Sequence, residues 1–464
     1  MADHAATSPI AAFAGVLAGH FDCTHLLWCS GQPASPPESS AITKAGLIAV
    51  QVEPGAEAAN GPAPSLLRKS IVLVDGAASG ERWLESLDWL RGWMDHAPLA
   101  LVAVPASDWS PDTLADRLRD AGLQVDFTGF AATRGGGPRD RVLAVIANNT
   151  RPRLEPAPDD FRVVAIMRAY NEADILEQSV RHAAAQGLEV YIIDNWSSDG
   201  TYEIAESLRG QGVIGLERYP PDGPLALYDH KRLLQRVEEL SISLDADWII
   251  EHDMDELREA PWPTMTMRDA VYHADRSGFN SINHLAINFY PSDTKFSPGD
   301  DLTAHFRHYA LRGSQGYLTQ VKGWKQMGHA VRLVETGGHR ALFPNQRIYP
   351  YRFLIRHFPL RSAEQAAAKI SRRRFAVPRR SRMFGWGRQY DKFDLEDSEL
   401  FENLCRWAWA ELSEFDSTTF YDTYLIERLS GVGYMVMRRK LVSRVPAPLR
   451  PPLRKLRHLL RRLI

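Results

Sequence analysis

Cysteine is scarce in this chain. Three residues among 464, Cys23, Cys29 and Cys405, stand at spacings that suit neither a disulfide framework nor a structural zinc site, which fits a reducing compartment. Long apolar runs are missing as well. No stretch reaches the ~18 consecutive apolar residues of a membrane span, so the sequence predicts a chain that does not cross a bilayer. The opening MADHAATSPIAAFAGVLAGHFD lacks the basic start of an export signal, and the expectation is a cytoplasmic protein. A hydrophobic content of 44% excludes disorder as the default and allows two or three domains at ~150 residues each.

Charge of one sign is also lacking overall, with 55 Lys and Arg against 57 Asp and Glu. The balance is uneven along the chain. Ten basic residues and no acid lie between Arg438 and Ile464. In PPLRKLRHLLRRLI, Leu453, Leu456, Leu460 and Leu463 share one helical face ringed by Arg and Lys. That pattern predicts a tail peripheral to an anionic membrane surface, at the inner membrane. Aromatics are not interleaved with its charges, so nucleic acid is not an expected partner.

Residues 24–149 alternate apolar runs with amphipathic stretches. THLLWCSG, GLIAVQVEP, SIVLVDG, PLALVAVPA, LQVDFTGF and RVLAVIAN read as strands; ERWLESLDWLRGWMDHA and PDTLADRLRDAG read as helices. The expected product is a smaller doubly wound α/β domain over 1–150. The order of elements over 65–149 resembles the later half of class I S-adenosylmethionine-dependent methyltransferases. A Gly-rich turn is what that family's cofactor needs, and here CSGQPASPP offers only Gly31 before two prolines, with Glu53 as the candidate ribose acid. The resemblance therefore implies a degenerate relative that does not bind the methyl donor.

The Pro- and Arg-rich NNTRPRLEPAPDD marks a linker over 151–160. Three strand-like runs then end in polar residues: Val163 to Met167 before RAYNEADIL, Val190 to Ile193 before Asp194 and NWSSDGT, and Trp248 to Ile250 before EHDMDE. Asp199 or Ser198 is placed to cap the helix after the second run. Parallel strands whose carboxyl ends are polar converge on one crevice. Asp253 and Asp255, one residue apart at such an end, suit a hard divalent cation that neutralises a diphosphate.

These three strings, in this order, resemble the family 2 glycosyltransferases and relatives with the glycosyltransferase A-type fold, over roughly residues 161–375. The resemblance implies an α/β, glycosyltransferase A-type (Rossmann-like) domain with a mixed sheet, followed by a helical cap over 376–437 and the tail over 438–464. It implies transfer of a sugar from a nucleotide-diphosphate donor to a glycan or lipid-linked acceptor in surface polysaccharide biosynthesis, by an inverting displacement with a carboxylate base. Asn171, Glu172 and Asp194 are then placed to read the base. Arg168 and Lys231 would meet the diphosphate, Asp253 the ribose or metal, and Asp255 a Mg2+ or Mn2+ ion. A later His can close the coordination, and His339 in GGHR and His357 in RHFPLRS are equal candidates. For the base the candidates are Asp300, Asp301 and Glu335. The basic stretch 371–391, with Phe384, Trp386 and Tyr390, suits an anionic acceptor. Two competing functions stand beside this one: a methyltransferase acting on a glycan, and a non-catalytic glycan-binding scaffold.

Overall fold

The computed structural model describes residues 14, 17–18, 21, 23–29, 47–52, 62–75, 87–131, 139–310, 320–375 and 399–417. The turn carrying Gly31, Glu53, the aromatic residues of 376–391, most of the expected helical cap and the basic tail lie outside them. The chain divides into two compact units at Thr150 and Arg151, and each is taken by itself.

All six apolar runs of the first unit are strands: β1 His25–Cys29, β2 Ile48–Val52, β3 Ser70–Asp75, β4 Leu99–Pro105, β5 Gln124–Ala131 and β6 Arg141–Ala147. Their order is β2-β1-β3-β4-β6-β5. The first four are parallel and β6 runs against both β4 and β5. Strictly alternating βαβ winding thus stops at β5, because the stretch between β5 and β6 is too short for a crossover helix and closes an antiparallel pair instead. Helices α1 (Asp88–Trp93) and α2 (Pro111–Asp120) bury Trp89, Trp93, Leu114 and Leu118 in a core with Val72, Val102 and Ile146. The start of α2 is set by Ser110, whose hydroxyl accepts the Thr113 amide in a capping box, with Pro111 in the first turn.

The second unit holds a ten-stranded mixed sheet. Its strands are β7 Val163–Ala169, β8 Glu189–Asp194, β9 Val213–Arg218, β10 Trp248–Asp253, β11 Glu256–Glu259, β12 Ser281–Tyr290, β13 His308–Ala310, β14 Gln320–Lys325, β15 Phe353–His357 and β16 Ser413–Glu414. The main path runs β11-β15-β12-β14-β10-β7-β8-β9, with β13 on β12 and β16 on β13. Strands β10, β7, β8 and β9 are parallel. Strand β14 is antiparallel to both β10 and β12. Gly323 lets it lie close: a Cβ there would come within 2.5 Å of Ile282 Cγ1.

Helices α3 (Leu176–Ala185), α4 (Thr201–Ser207) and α5 (His230–Ser243) connect the parallel strands, and α6 (Met267–Arg276) leads into β12. In α5 the apolar Leu233, Leu234, Val237 and Leu240 recur at helical spacing and pack against Val164, Ile166 and Ile249 of the sheet. Asp229 caps this helix by accepting the Arg232 amide. Helices α7 (Ala363–Phe375) and α8 (Leu400–Glu411) follow β15, and Ile370, Phe401 and Cys405 meet in a small core. Among the described residues no helix is long and apolar enough to cross a membrane.

Candidate nucleotide and cation site

Parallel pairing sets Asp253 beside Arg168, the sixth residue of β7, and sets Asp194 beside Ala169. The ends of β10, β7 and β8 thereby bring three polar segments to one edge, as expected for an open α/β sheet.

Asp253 is pinned from two sides. Arg168 Nη2 donates to its Oδ1 and to Glu251, while Lys322 Nζ, from β14, lies 2.7 Å from its Oδ2, 3.0 Å from Glu256 Oε1 and 3.2 Å from Glu251 Oε2. Burial opposes ionisation of Asp253, yet the Arg168 and Lys322 cations hold its pKa well below the usual carboxylate range. Lys322 is itself fully buried; the surrounding carboxylates outweigh that burial and raise its pKa. Arg168 also meets His230 Nδ1 at 3.1 Å, and His230 Nε2 donates to the Gly337 carbonyl at 3.3 Å. Gly338 follows at φ 85°, where a Cβ would press on Leu234 at 3.0 Å.

Asp255 belongs to a second chain of contacts. Lys369 of α7 lies 2.5 Å from its Oδ2, and His357 Nε2, at the end of β15, lies 3.4 Å from the same oxygen. The other ring nitrogen of His357 donates to Asn288 Oδ1 at 2.8 Å, which fixes the ring with Nε2 toward the carboxylate. Burial again opposes ionisation, and Lys369 and His357 hold Asp255 well below the usual range. An oxygen and a nitrogen donor side by side, the imidazole anchored from behind, are a chemically suitable pair for a divalent cation. The described residues contain no group of three such protein ligands.

The two histidines are thus told apart by tertiary contacts. His339 Nδ1 meets Gln320 Oε1 at 3.3 Å and makes no contact with Asp255. Crowding by protein and the Lys322 charge lower its pKa, although the residue is exposed.

The expected base-reading residues have other partners. Glu172 is buried and pairs with Arg361 at 2.5 Å; the same guanidinium holds Asp174 at 2.7 Å. Asn171, at φ 56°, accepts the Ser198 amide on Oδ1 and so ties the β7 loop to the β8 loop. Asp199 accepts from both Thr201 N and Ala173 N, at 3.1 Å each. Asp194 is fully buried, accepts the Ser197 amide at 3.1 Å and stands 3.9 Å from Arg218 Nε; burial raises its pKa. Glu172 and Asp194 are spent on protein donors because their charge is taken out of water. Trp196, Tyr202 and Arg218 are half-exposed at this strand end: Arg218 lies 4.2 Å from the Tyr202 ring centroid and 5.3 Å from that of Trp196.

Three base candidates stand apart. Glu335 is exposed and pairs with Arg332 at 3.1 Å, Asp300 accepts the Ser297 amide, and Asp301 caps the short helix Leu302–His305 through the Thr303 and Ala304 amides. None meets Asp253 or Asp255 among the described residues; turn and helix capping uses the oxygens of Asp300 and Asp301 locally, and Arg332 takes Glu335. Lys231, half-buried in the first turn of α5, forms no ion pair among the described residues. Sequence reasoning missed Lys322, Lys369, Arg361 and His230. Lys322 shares its face of β14 with the polar Gln320 as well as Trp324, so no apolar alternation marks it in the sequence.

Residues 164–219, from β7 through the residue after β9, match the model of glycosyl transferase family 2. The match supports a glycosyltransferase, and the mixed sheet with parallel β7 to β10 is consistent with the A-type fold. It lies wholly in the second unit and lends no support to the methyltransferase resemblance of the first. No curated protein matches the chain.

Proposed function

We propose that the second unit transfers a sugar from a nucleotide-diphosphate donor to a glycan or lipid-linked acceptor, with inversion at the anomeric carbon. The observation that carries this reading is the meeting of Asp253, Asp255, Arg168 and His357 at the carboxyl edge of a sheet whose first three strands match family 2. The base of the donor packs against Trp196, Tyr202 and Arg218, where a flat ring gains stacking and a cation. Its diphosphate lies toward Arg168, Lys322 and Lys369.

Asp255 and His357, with Asp253 adjacent, would hold Mg2+ or Mn2+, which supplies positive charge to the leaving diphosphate. Lys369 shares Oδ2 of Asp255 and would be available to a phosphate if a cation used that oxygen. Arg168 stays fixed by Glu251 and His230 and so presents its charge without reorganisation. The basic segment after Arg438 directs the protein to an anionic membrane, where lipid-linked acceptors for surface polysaccharide reside.

A thermal-shift and hydrolysis screen of uridine, guanosine and thymidine diphosphate sugars, with and without Mn2+, tests the reading. Stabilisation and slow donor hydrolysis should need both nucleotide and metal and vanish in Asp255→Ala. If no nucleotide sugar stabilises the wild type in a metal-dependent way, the transferase reading fails.

A further inference from the structure

The carboxylates gathered at the carboxyl edge of the sheet are already held by cations. Arg168 and Lys322 hold Asp253, Arg258 and Lys322 hold Glu256, Lys369 and His357 hold Asp255, and Arg361 holds Glu172 and Asp174. A carboxylate bonded to a cation is a poor proton acceptor. Histidine offers an alternative, because a neutral imidazole donates at one nitrogen and accepts at the other. His230 uses both nitrogens, on Arg168 and on the Gly337 carbonyl, and His284 uses both on Arg258 and the Gln320 carbonyl. His339 does not.

Strand β14 starts at the edge where β10 ends, and the register between them stops at Ile250 and Gly323. A new segment then joins β14. Val321 pairs in the parallel sense with Arg340, its amide donating to the His339 carbonyl at 3.1 Å and its carbonyl accepting the Ala341 amide at 2.8 Å. Gly337 and Gly338, at φ 69° and 85°, make the turn into this segment, and a Cβ on Gly338 would stand 3.6 Å from Glu251 Oε1. The chain thus passes close to the charged cluster. His339 turns its Nδ1 to Gln320 Oε1 at 3.3 Å, and a ring that donates there carries its lone pair on Nε2. That nitrogen has no partner among the described residues, and the residue is exposed. The charges of Lys322, Asp253, Glu256 and Arg168 all act on the ring, so it stands within reach of the cluster.

Sheet order indicates which part of a donor this ring meets. Trp196 follows β8, Arg218 ends β9, Arg168 and Asp253 stand near the ends of β7 and β10, and β14 comes next. At ~4.8 Å per strand, β8 to β14 spans about 14 Å, comparable with an extended nucleoside diphosphate. A donor with its base at β8 and its diphosphate at β7 and β10 therefore carries its sugar to β14.

We propose that His339 is the general base of the transfer, with Gln320 positioning the ring through Nδ1. The acceptor hydroxyl oxygen bonds to the anomeric carbon, and its proton passes to His339 Nε2 and then to solvent. The bond from that carbon to the diphosphate breaks, leaving its electron pair on the departing phosphate oxygen. This assignment rests on the transferase reading and takes the place of the three carboxylates expected from the sequence.

The test follows hydrolysis of uridine diphosphate glucose, guanosine diphosphate mannose and thymidine diphosphate rhamnose by the full chain with Mn2+, water standing in for the acceptor. His339→Ala and His339→Gln should each lower kcat about 100-fold or more, with the nucleotide thermal shift kept at its wild-type value. Sodium azide should restore turnover in His339→Ala and release an inverted glycosyl azide, because azide attacks with no proton to lose. A residue that only supported packing would not be rescued in this way. Unchanged hydrolysis in both variants, a loss that azide does not repair, or loss of the thermal shift in both overturns the base and leaves the donor reading intact. A wild type stabilised by a nucleotide sugar but hydrolysing none does the same, since an exposed imidazole beside the anomeric carbon activates water as well. A wild type that neither binds nor hydrolyses any of the three overturns both.

Discussion

Lys322 Nζ lies 2.7 Å from Asp253 Oδ2, and the ammonium is almost wholly enclosed by protein. One buried cation thereby serves Glu251, Asp253 and Glu256. The acidic end of β10 is consequently a compensated cluster, in which removing a single positive charge is expensive.

Replacing Lys322 by Met should therefore destabilise the protein by roughly 3–5 kcal/mol, because breaking a buried pair strands its partners' charge. Urea unfolding followed by tryptophan fluorescence reads this as a lower midpoint at unchanged slope. A midpoint within error of wild type would show that the carboxylates are solvated and the cluster is not buried in solution.

Arg361 makes the same argument at the base loop, where it holds Glu172 and Asp174 from a position after β15. Arg361→Lys should recover only part of the stability lost in Arg361→Ala, since an ammonium cannot reproduce the forked guanidinium contacts. Hydrogen exchange of the 170–176 amides in the two variants separates the cases. Equal protection in Lys and Ala variants would contradict a geometric role.

The cation pair is open to direct titration. Asp255→Ala and His357→Ala should each abolish saturable Mn2+ binding by calorimetry, and Asn288→Ala should weaken it by about 10–100-fold through loss of the hydrogen bond that orients His357. Affinity in His357→Ala equal to that of wild type would remove His357 from the ligand set.

Acid should destabilise the fold well above the carboxylate range. His273 is buried among the Trp262 and Tyr349 rings, and burial, helped by the Arg151 charge, lowers its pKa to about 4. His252 and His284 are lowered well below their ordinary value by burial and by Arg258. For a group lowered on folding, the unfolded chain takes up protons first. Stability thus begins to fall as pH drops below about 6.5, the ordinary His value, and keeps falling toward the folded values. His273 alone accounts for about 2 kcal/mol at pH 5 on this basis. Asp253 and Asp255, held low by their cations, add a further loss below about pH 4. Urea midpoints between pH 8 and pH 5 measure the first effect; a flat profile there would mean that these histidines are solvated in the native state.

Much of the scaffold was legible one residue at a time. Continuous apolar runs such as Val163–Met167 and Trp248–Ile250 can only be buried strands when they are this short, and the polar residues after them mark the functional edge. The antiparallel β14 between β10 and β12 was not legible, since alternation reveals a strand but not its neighbour.

What the sequence by itself determined is the local order: which runs are strands, where each ends, and that Asp253 and Asp255 stand together at one of those ends. Tertiary structure alone decided their company. Lys322 and Lys369 arrive from elements far along the chain, Arg361 takes Glu172 out of solvent, and His357 rather than His339 faces Asp255. The reason is electrostatic. A buried charge must find an opposite one wherever the sheet order brings it near, and that distance is not written in the spacing of residues along the chain.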